Sequence, residues 1–108
     1  MTLYLIQETA SSDAAGAIMK NPQDRTEHIR TIFEAVGGKL IHFFLAYNEN
    51  TAYLLAEIPD QESLAEVVWA FQAGGGPSSI KATPLMTFTE AMEVFKKAGR
   101  LGYSPPGG

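Results

Sequence analysis

The chain has 108 residues, of which 45% are hydrophobic and 19% are charged, and its formal net charge at pH 7 is −4. This length is typical of one domain, and the hydrophobic content excludes global disorder. The absence of cysteine excludes disulfides, thiolate metal sites and a thiol nucleophile. With 12 acidic residues against 8 basic ones, we expect no nucleic-acid partner. The sequence has no membrane-length apolar run and no basic leader, so we expect a cytoplasmic protein without a membrane partner.

The first third of the chain predicts a strand and an interrupted helix. Leu3 to Ile6 is a short apolar run typical of a strand. Ser11-Ser12-Asp13 is a helix-start signal, and Asn21-Pro22 then interrupts the helical pattern because the residue before a proline avoids the helical region. The pattern resumes and ends at Gly37-Gly38, a typical C-cap. We therefore expect a kinked helix or a helical hairpin in this part of the chain.

Two strand-like runs follow, Leu40 to Tyr47 and Ala52 to Ile58, on either side of Asn48-Glu49-Asn50. Such runs around a short polar loop predict a β-hairpin. Pro59-Asp60 then ends the second strand and caps a helix that stops at Gly74 to Pro77. The apolar stripe of this helix consists of Leu64, Val67, Val68 and Phe71.

Ile80 to Met86 is the fourth predicted strand, and its Pro84 places the far end of the strand at a sheet edge. Thr89 is expected to cap a last helix. The inner face of that helix is expected to consist of Ala91, Met92, Phe95 and Ala98. We expect residues 1–100 to form a single domain and residues 101–108 to form an extended tail, which either lies over a partner subunit or is disordered.

The order of these elements predicts an α+β fold of the ferredoxin-like type: βαββαβ, with a four-stranded antiparallel sheet and an extra C-terminal helix. Helices would cover one face of this sheet, so each strand should alternate apolar and polar residues. Instead, Ile41 to Tyr47 is apolar apart from His42, and Ala52 to Ala56 is apolar throughout. Burying such a second face is strongly favourable. We therefore expect a homodimer whose sheets pack face to face around a barrel-like space.

Several short segments between Ile18 and Thr87 occur in an order and spacing typical of a known family. They are Asn21-Pro22, Ala35 to Leu40, Ala56 to Asp60, the helix with its glycine-rich end, and Thr83 to Thr87. In these segments, about two-thirds of its length, the chain resembles the GYD-domain family of small proteins. The resemblance implies a dimeric α/β-barrel. The Gly-Tyr-Asp signature of that family falls in the hairpin loop, where this chain has Asn48 to Thr51, so no role is carried over from it.

His42 is the most informative polar residue of the predicted hairpin. If the hairpin turns on Glu49-Asn50, His42 pairs with Glu57, and both share one face with Tyr53. In an apolar space between two sheets, His42 would act as a base, Glu57 would orient it and Tyr53 would donate a hydrogen bond to a developing enolate. The alternative is that His42 and Glu57 merely form a structural cross-strand pair near the end of the sheet, where each satisfies the polar group of the other. A three-residue loop would place His42 opposite Ala56 and remove the pair.

Four further residues are candidate ligand contacts. Phe44 and Leu55 belong to the strand face just described. Tyr4 and Gln7 point to opposite sides of the first strand, and we favour Tyr4 as the one that faces the inter-sheet space. Trp69 lies off the apolar stripe of its helix, at a flank where a large aromatic side chain marks a subunit contact or a pocket rim.

Other polar features favour structural roles. His28 lies at the border of the buried face of its helix, which is typical of a structural histidine. The glycine-rich turn at Gly74 to Pro77 follows a helix rather than preceding one, so it is a helix stop, able to close over a pocket mouth, and not a phosphate cradle. No histidine spacing typical of a metal site is present, and we expect neither a metal nor a cofactor.

These observations predict a small homodimeric α/β-barrel protein that binds a small, largely apolar or aromatic molecule between the sheet and the helices. Related dimeric α/β-barrel families include monooxygenases, lactone isomerases, polyketide cyclases and haem-dependent enzymes, so the fold does not identify a reaction. If the protein is an enzyme, we expect a cofactor-free isomerase, cyclase or monooxygenase. The alternative is a non-catalytic accessory or assembly module. A cavity beside His42 or Tyr53 would favour the first hypothesis, and solid packing there would favour the second.

Overall fold

The computed structural model describes residues 1–107, which contain four strands and four helices in alternating groups. In chain order the elements are β1 (Thr2–Ala10), α1 (Ser12–Lys20), α2 (Thr26–Ala35), β2 (Lys39–Leu45), β3 (Thr51–Ile58), α3 (Gln61–Ala73), β4 (Pro77–Leu85) and α4 (Phe88–Gly99). Within the described residues, each helix is too short or too polar to cross a lipid bilayer.

The four strands form one antiparallel sheet in the order β2-β3-β1-β4. This is the predicted ferredoxin-like α+β arrangement with an additional C-terminal helix, and the prediction is confirmed. The strand β4, which contains Pro84, lies at an edge of the sheet, as expected for a residue that cannot donate a backbone hydrogen bond. The sheet therefore has two edges, β2 and β4, and a central pair made of β3 and β1.

The hydrophobic core lies between one face of the sheet and the helices α2 and α3. Ile6 of β1 and Leu54 of β3 are fully buried at its centre, beneath Phe33 of α2 and Val67 of α3. The rings of Phe33 and Phe71 meet edge to face, with centroids 6.1 Å apart. Because alternate residues of a strand point to opposite sides, the other face of the sheet is left without a helical cover.

The interrupted helix is two separate helices, joined by residues 21–25. Ser11 caps α1, since its hydroxyl accepts a hydrogen bond from the backbone N–H of Ala14. The second helix ends where Gly37 adopts a left-handed conformation with φ of 78°. The N–H of Gly38 donates to the Phe33 carbonyl at 2.8 Å, and a Cβ at position 38 would lie only 2.7 Å from the Glu57 carbonyl oxygen. This glycine therefore allows α2 to approach β3 closely.

A β-bulge interrupts the pairing of β2 with β3. Leu40 lies opposite Ala56 and His42 lies opposite Leu55, so Ile41 is the extra residue of β2. A bulge of this kind bends the strand and increases its local twist. It shifts the pairs of Lys39 and Leu40 by one residue relative to the ladder from His42 to Leu45.

The last helix differs from the sequence expectation. Thr87, not Thr89, is the N-cap, and it forms a capping box with Glu90. Of the predicted inner face, Ala91 is buried, but Met92 is 45% exposed and Phe95 is 52% exposed. The radius of gyration is 17.6 Å, against about 13 Å for an ordinary domain of this length. The helix α4 thus extends from the body of the chain with its apolar side in solvent.

Candidate functional site

The face of the sheet that carries no helices is here called the open face. It contains five of the seven residues that the sequence singles out. They are His42 and Phe44 on β2, with Tyr53, Leu55 and Glu57 on β3. The expected grouping of these side chains on one face is therefore confirmed by the register of the strands.

The expected pairing of His42 with Glu57 is wrong. His42 lies opposite Leu55, and Lys39 lies opposite Glu57. The centre of the turn lies one residue earlier than expected, which moves the β3 partner of each β2 residue by two positions, and the bulge at Ile41 shifts the partners of Lys39 and Leu40 by one more. A displacement of two residues preserves the strand parity, which is why the residues keep their predicted face while their partners change.

Two of the three residues predicted to act together, His42 and Tyr53, make separate local contacts in the chain. The His42 ring stacks on Phe44, with centroids 5.5 Å apart. The Tyr53 hydroxyl donates a hydrogen bond to Glu49 Oε1 at 2.9 Å, and this bond raises the pKa of the phenol. Among residues 1–107, no hydrogen bond or ion pair joins His42 to Glu57. A proton relay through these groups would therefore need a ligand or a second subunit to connect them.

Two predicted ligand contacts lie elsewhere. Tyr4 is 4% exposed and packs in the helix-covered core, so the expectation that it faces the inter-sheet space is wrong, and Gln7 is on the open face instead. Trp69 is on α3 and is 72% exposed. Its helix covers the opposite side of the sheet, so Trp69 does not meet the open-face residues.

A groove of about 770 Å³ lies on the other side of the sheet, between the sheet and the helices. We call it the helix-side groove. Its apolar wall includes Ile29 and Ile32 of α2, Phe43 of β2 and Phe71 of α3. Alanines on α1 and β3 and the glycine-rich turn that precedes β4 also border it. Small side chains leave the space unfilled, and its size is within the range of small-molecule sites.

Glu8 is the acidic group in the floor of this groove. It extends from β1 on the same face as the buried Ile6, between Ala52 of β3 and Ile80 of β4. Burial raises the pKa of its carboxyl. No ion pair in residues 1–107 includes it. A half-buried carboxyl among apolar neighbours is costly for the fold unless a polar partner approaches it.

The rim of the groove carries the charged residues that lead into α2. Asp24 accepts hydrogen bonds from the Thr26 hydroxyl at 2.7 Å and from the Thr26 N–H at 3.0 Å, and these bonds lower the pKa of the aspartate. Arg25 and His28 also border the opening. Asp24 is therefore engaged in local structure, whereas Glu8 faces the groove alone.

A smaller cleft, of about 480 Å³, lies where the start of α4 meets the open face. It is bordered by Leu3, Glu57 and Leu85 of the sheet and by Thr87 and Glu90 of the helix. The cleft therefore places the N-terminal end of α4 next to the uncovered side of the sheet.

The sequence reasoning missed Glu8 because it ended the first strand at Ile6. The signal was present: in a strand that continues to Ala10, the alternation that buries Tyr4 and Ile6 also turns Glu8 toward the helices. A charged residue on a buried strand face is rare, and that rarity identifies it as a candidate for function.

The family model of the GYD domain matches residues 4–95. The chain belongs to the GYD-domain family. The match confirms the resemblance found in residues 18–87, and it also includes Glu8 of the helix-side groove and most of α4. No curated protein matches this GYD domain.

Proposed function

We propose that this GYD domain binds a small, largely apolar or aromatic molecule in the helix-side groove and that it does so as a homodimer. The observation that carries the proposal is the groove itself, an apolar space of about 770 Å³ beside a half-buried carboxyl. A groove of this size with mostly apolar walls and a few polar groups is typical of a small-molecule site.

The dimer is supported by the surfaces that one chain leaves uncovered. Phe44 on the open face is 62% exposed, and Phe88 and Phe95 of α4 are 76% and 52% exposed. These three rings alone present on the order of 400 Å² of aromatic surface. A stable interface uses about 800 Å² from each partner, so these three rings would supply about half of the surface that a second copy of the chain needs.

A direct test of ligand binding is to record amide spectra of the protein with a panel of small aromatic compounds. We expect shifts of the amide signals of Ile29, Ile32 and Ala52, which border the groove. Ala17→Trp places a large ring in the groove from α1 and should abolish the shifts. Met19→Trp, on the exposed side of the same helix, is the matched control and should leave them unchanged. Compounds that shift only open-face signals would contradict the groove as the site.

The second candidate is catalysis on the open face by His42, Glu57 and Tyr53. It is favoured by their position on one face, where the sheet of a second subunit would enclose them. In that arrangement His42 is the base and Tyr53 the hydrogen-bond donor, as the sequence predicts. His42→Ala should then abolish turnover of an enolisable substrate while the groove still binds its aromatic probes. Unchanged turnover would reject this role.

A further inference from the structure

Among residues 1–107, no side chain forms a hydrogen bond or an ion pair with the Glu8 carboxyl, in a groove that is otherwise mostly apolar. Its neighbours across the sheet are Ala52 and Ile80, which offer no hydrogen bond from their side chains. The charged residues at the rim are on the segment that leads into α2 and at its first turns, and Asp24 among them is held by Thr26. The carboxyl is therefore the polar group at the base of the site.

A carboxylate accepts hydrogen bonds and donates none, and a protonated carboxyl keeps an acceptor oxygen. A ligand binds this groove most tightly if its hydroxyl or amine donates a hydrogen bond to Glu8 and its apolar body packs against the walls. A ligand that carries a carboxylate meets the like charge of Glu8 and is disfavoured. The groove thus discriminates by the polar end of the ligand as well as by its shape.

We infer that the helix-side groove selects a small molecule with an aromatic or apolar body and a single hydroxyl or amine donor, and that Glu8 accepts the hydrogen bond from this donor. The inference rests on the proposed function, since it assigns the ligand class of the same groove. Ile29, Ile32, Phe43 and Phe71 supply the apolar walls, and Glu8 determines the orientation of the ligand.

The test compares three probes that share one ring system: naphthalene, 2-naphthol and 2-naphthoate. Each is titrated into the full chain, and binding is followed by probe fluorescence. We expect 2-naphthol to bind about tenfold tighter than naphthalene, as one hydrogen bond to a charged acceptor provides. 2-Naphthoate should bind most weakly of the three. A preference for 2-naphthoate, or equal binding of 2-naphthol and naphthalene, would overturn the inference.

Glu8→Leu tests the residue itself, because it makes the floor of the groove apolar and removes a half-buried charge. The preference for 2-naphthol over naphthalene should fall to about one in this variant, while naphthalene binds at least as well as before. Glu8→Gln is a second variant, with a side chain of nearly the same shape. It retains an acceptor oxygen, so it should keep part of the preference for 2-naphthol. Glu66→Leu, on the exposed side of α3, is the matched control and should behave as the natural protein.

The results of these titrations distinguish a failure of the role proposed for Glu8 from a failure of the proposed function. If no probe binds the natural protein or Glu8→Leu, the groove is not a ligand site and the proposed function itself fails. If naphthalene and 2-naphthol bind both proteins with an unchanged ratio, the groove is a ligand site but Glu8 does not select the ligand.

Discussion

Glu8 shows how one side chain can be unfavourable for the fold and informative about function. It occupies a position between Ala52 and Ile80 where an apolar residue would pack better. Desolvation of its carboxyl favours the protonated form, which is the reason that its pKa is raised. The free energy that the chain loses by keeping this charge is one sign that the residue serves binding rather than stability.

Glu8 should make stability depend on pH. Its folded-state pKa lies above the ordinary value of 4.5, so the folded protein binds more protons than the unfolded chain between these two pKa values. The free energy of unfolding should therefore decrease as the pH rises from about 4.5 through the folded pKa. In denaturant titrations, the natural protein should be as stable as Glu8→Gln at low pH and less stable at pH 7.

When the natural protein is compared with Glu8→Gln, the contributions of the other carboxyl groups to the pH dependence of stability cancel. The N-terminal hydrogen bonds of α3 and α4 lower the pKa of Asp60 and Glu90, so their stabilising effect is present at neutral pH and lost on acidification. Both proteins contain these groups, and their contribution cancels in the difference. A difference that does not change with pH would show that burial of Glu8 has no energetic effect.

Gly38 is a second residue whose identity the structure requires. A methyl group at this position would lie 2.7 Å from the Glu57 carbonyl oxygen and 3.2 Å from that of Phe33. Gly38→Ala should therefore lower the free energy of unfolding by about 1–3 kcal/mol, because α2 must move away from β3. Gly16→Ala, in α1 with open space around it, should instead raise stability by about 0.5–1 kcal/mol. Thermal unfolding of the two variants measures both changes.

At the scale of elements, the stability of α4 depends mainly on interactions within the helix itself. Its apolar side is mostly exposed, and among residues 1–107 Ala91 is the one residue of the helix that is buried. Helices with little tertiary contact depend on capping and on side-chain pairs within the helix. The Thr87–Glu90 capping box and the ion pair of Lys96 with Glu93 at 3.3 Å are such interactions.

Removing the cap should loosen this helix without unfolding the sheet. Thr87→Ala should cost α4 about 1 kcal/mol, because the Glu90 N–H loses its hydrogen-bond acceptor. Amide hydrogen exchange should become about fivefold faster in α4 and remain unchanged in β1. Thr89→Ala is the matched control, since Thr89 lies within the helix and does not cap it. Equal effects of the two substitutions would show that the capping box does not stabilise α4.

The hairpin of β2 and β3 shows which part of the fold the sequence can predict. Alternation of side chains assigned His42 and Tyr53 to one face and Leu54 to the other, because that assignment depends only on strand parity. The pairing was not predictable from the same pattern, since residues 46–50 allow more than one turn and Ile41 reads as an ordinary strand residue. A ligand site between the sheet and the helices was expected, but the residues that line the groove were not predictable, because they are far apart in the chain.

At the scale of the whole molecule, the chain has two uncovered apolar surfaces and an extended shape. The described residues measure 57 × 34 × 23 Å. The start of α4 borders the open face at the cleft lined by Leu3 and Glu57. A second copy that packs on the open face would cover both surfaces at once.

The assembly should therefore have twice the chain mass of 11.7 kDa in sedimentation equilibrium. Phe44→Glu places a charge on the open face, at its β2 edge, and should raise the dimer dissociation constant at least tenfold, because a charge is costly to bury without a partner. Trp69→Ser removes an equally exposed aromatic from the outer side of α3 and should leave the dimer intact. A natural protein that sediments with the mass of one chain would contradict the dimer.

The bulge at Ile41 has a consequence for how large the assembly can grow. An antiparallel sheet can also recruit further strands along its two edges, and long ribbons result when nothing prevents it. Here the β2 edge is kinked at Ile41, and the β4 edge contains Pro84, which lacks an N–H to offer an incoming strand. In the proposed dimer, association would thereby be confined to the open face, where each of the two copies covers the other and no site is left for a third. Raising the protein concentration should therefore increase the fraction of dimer and should not produce fibres.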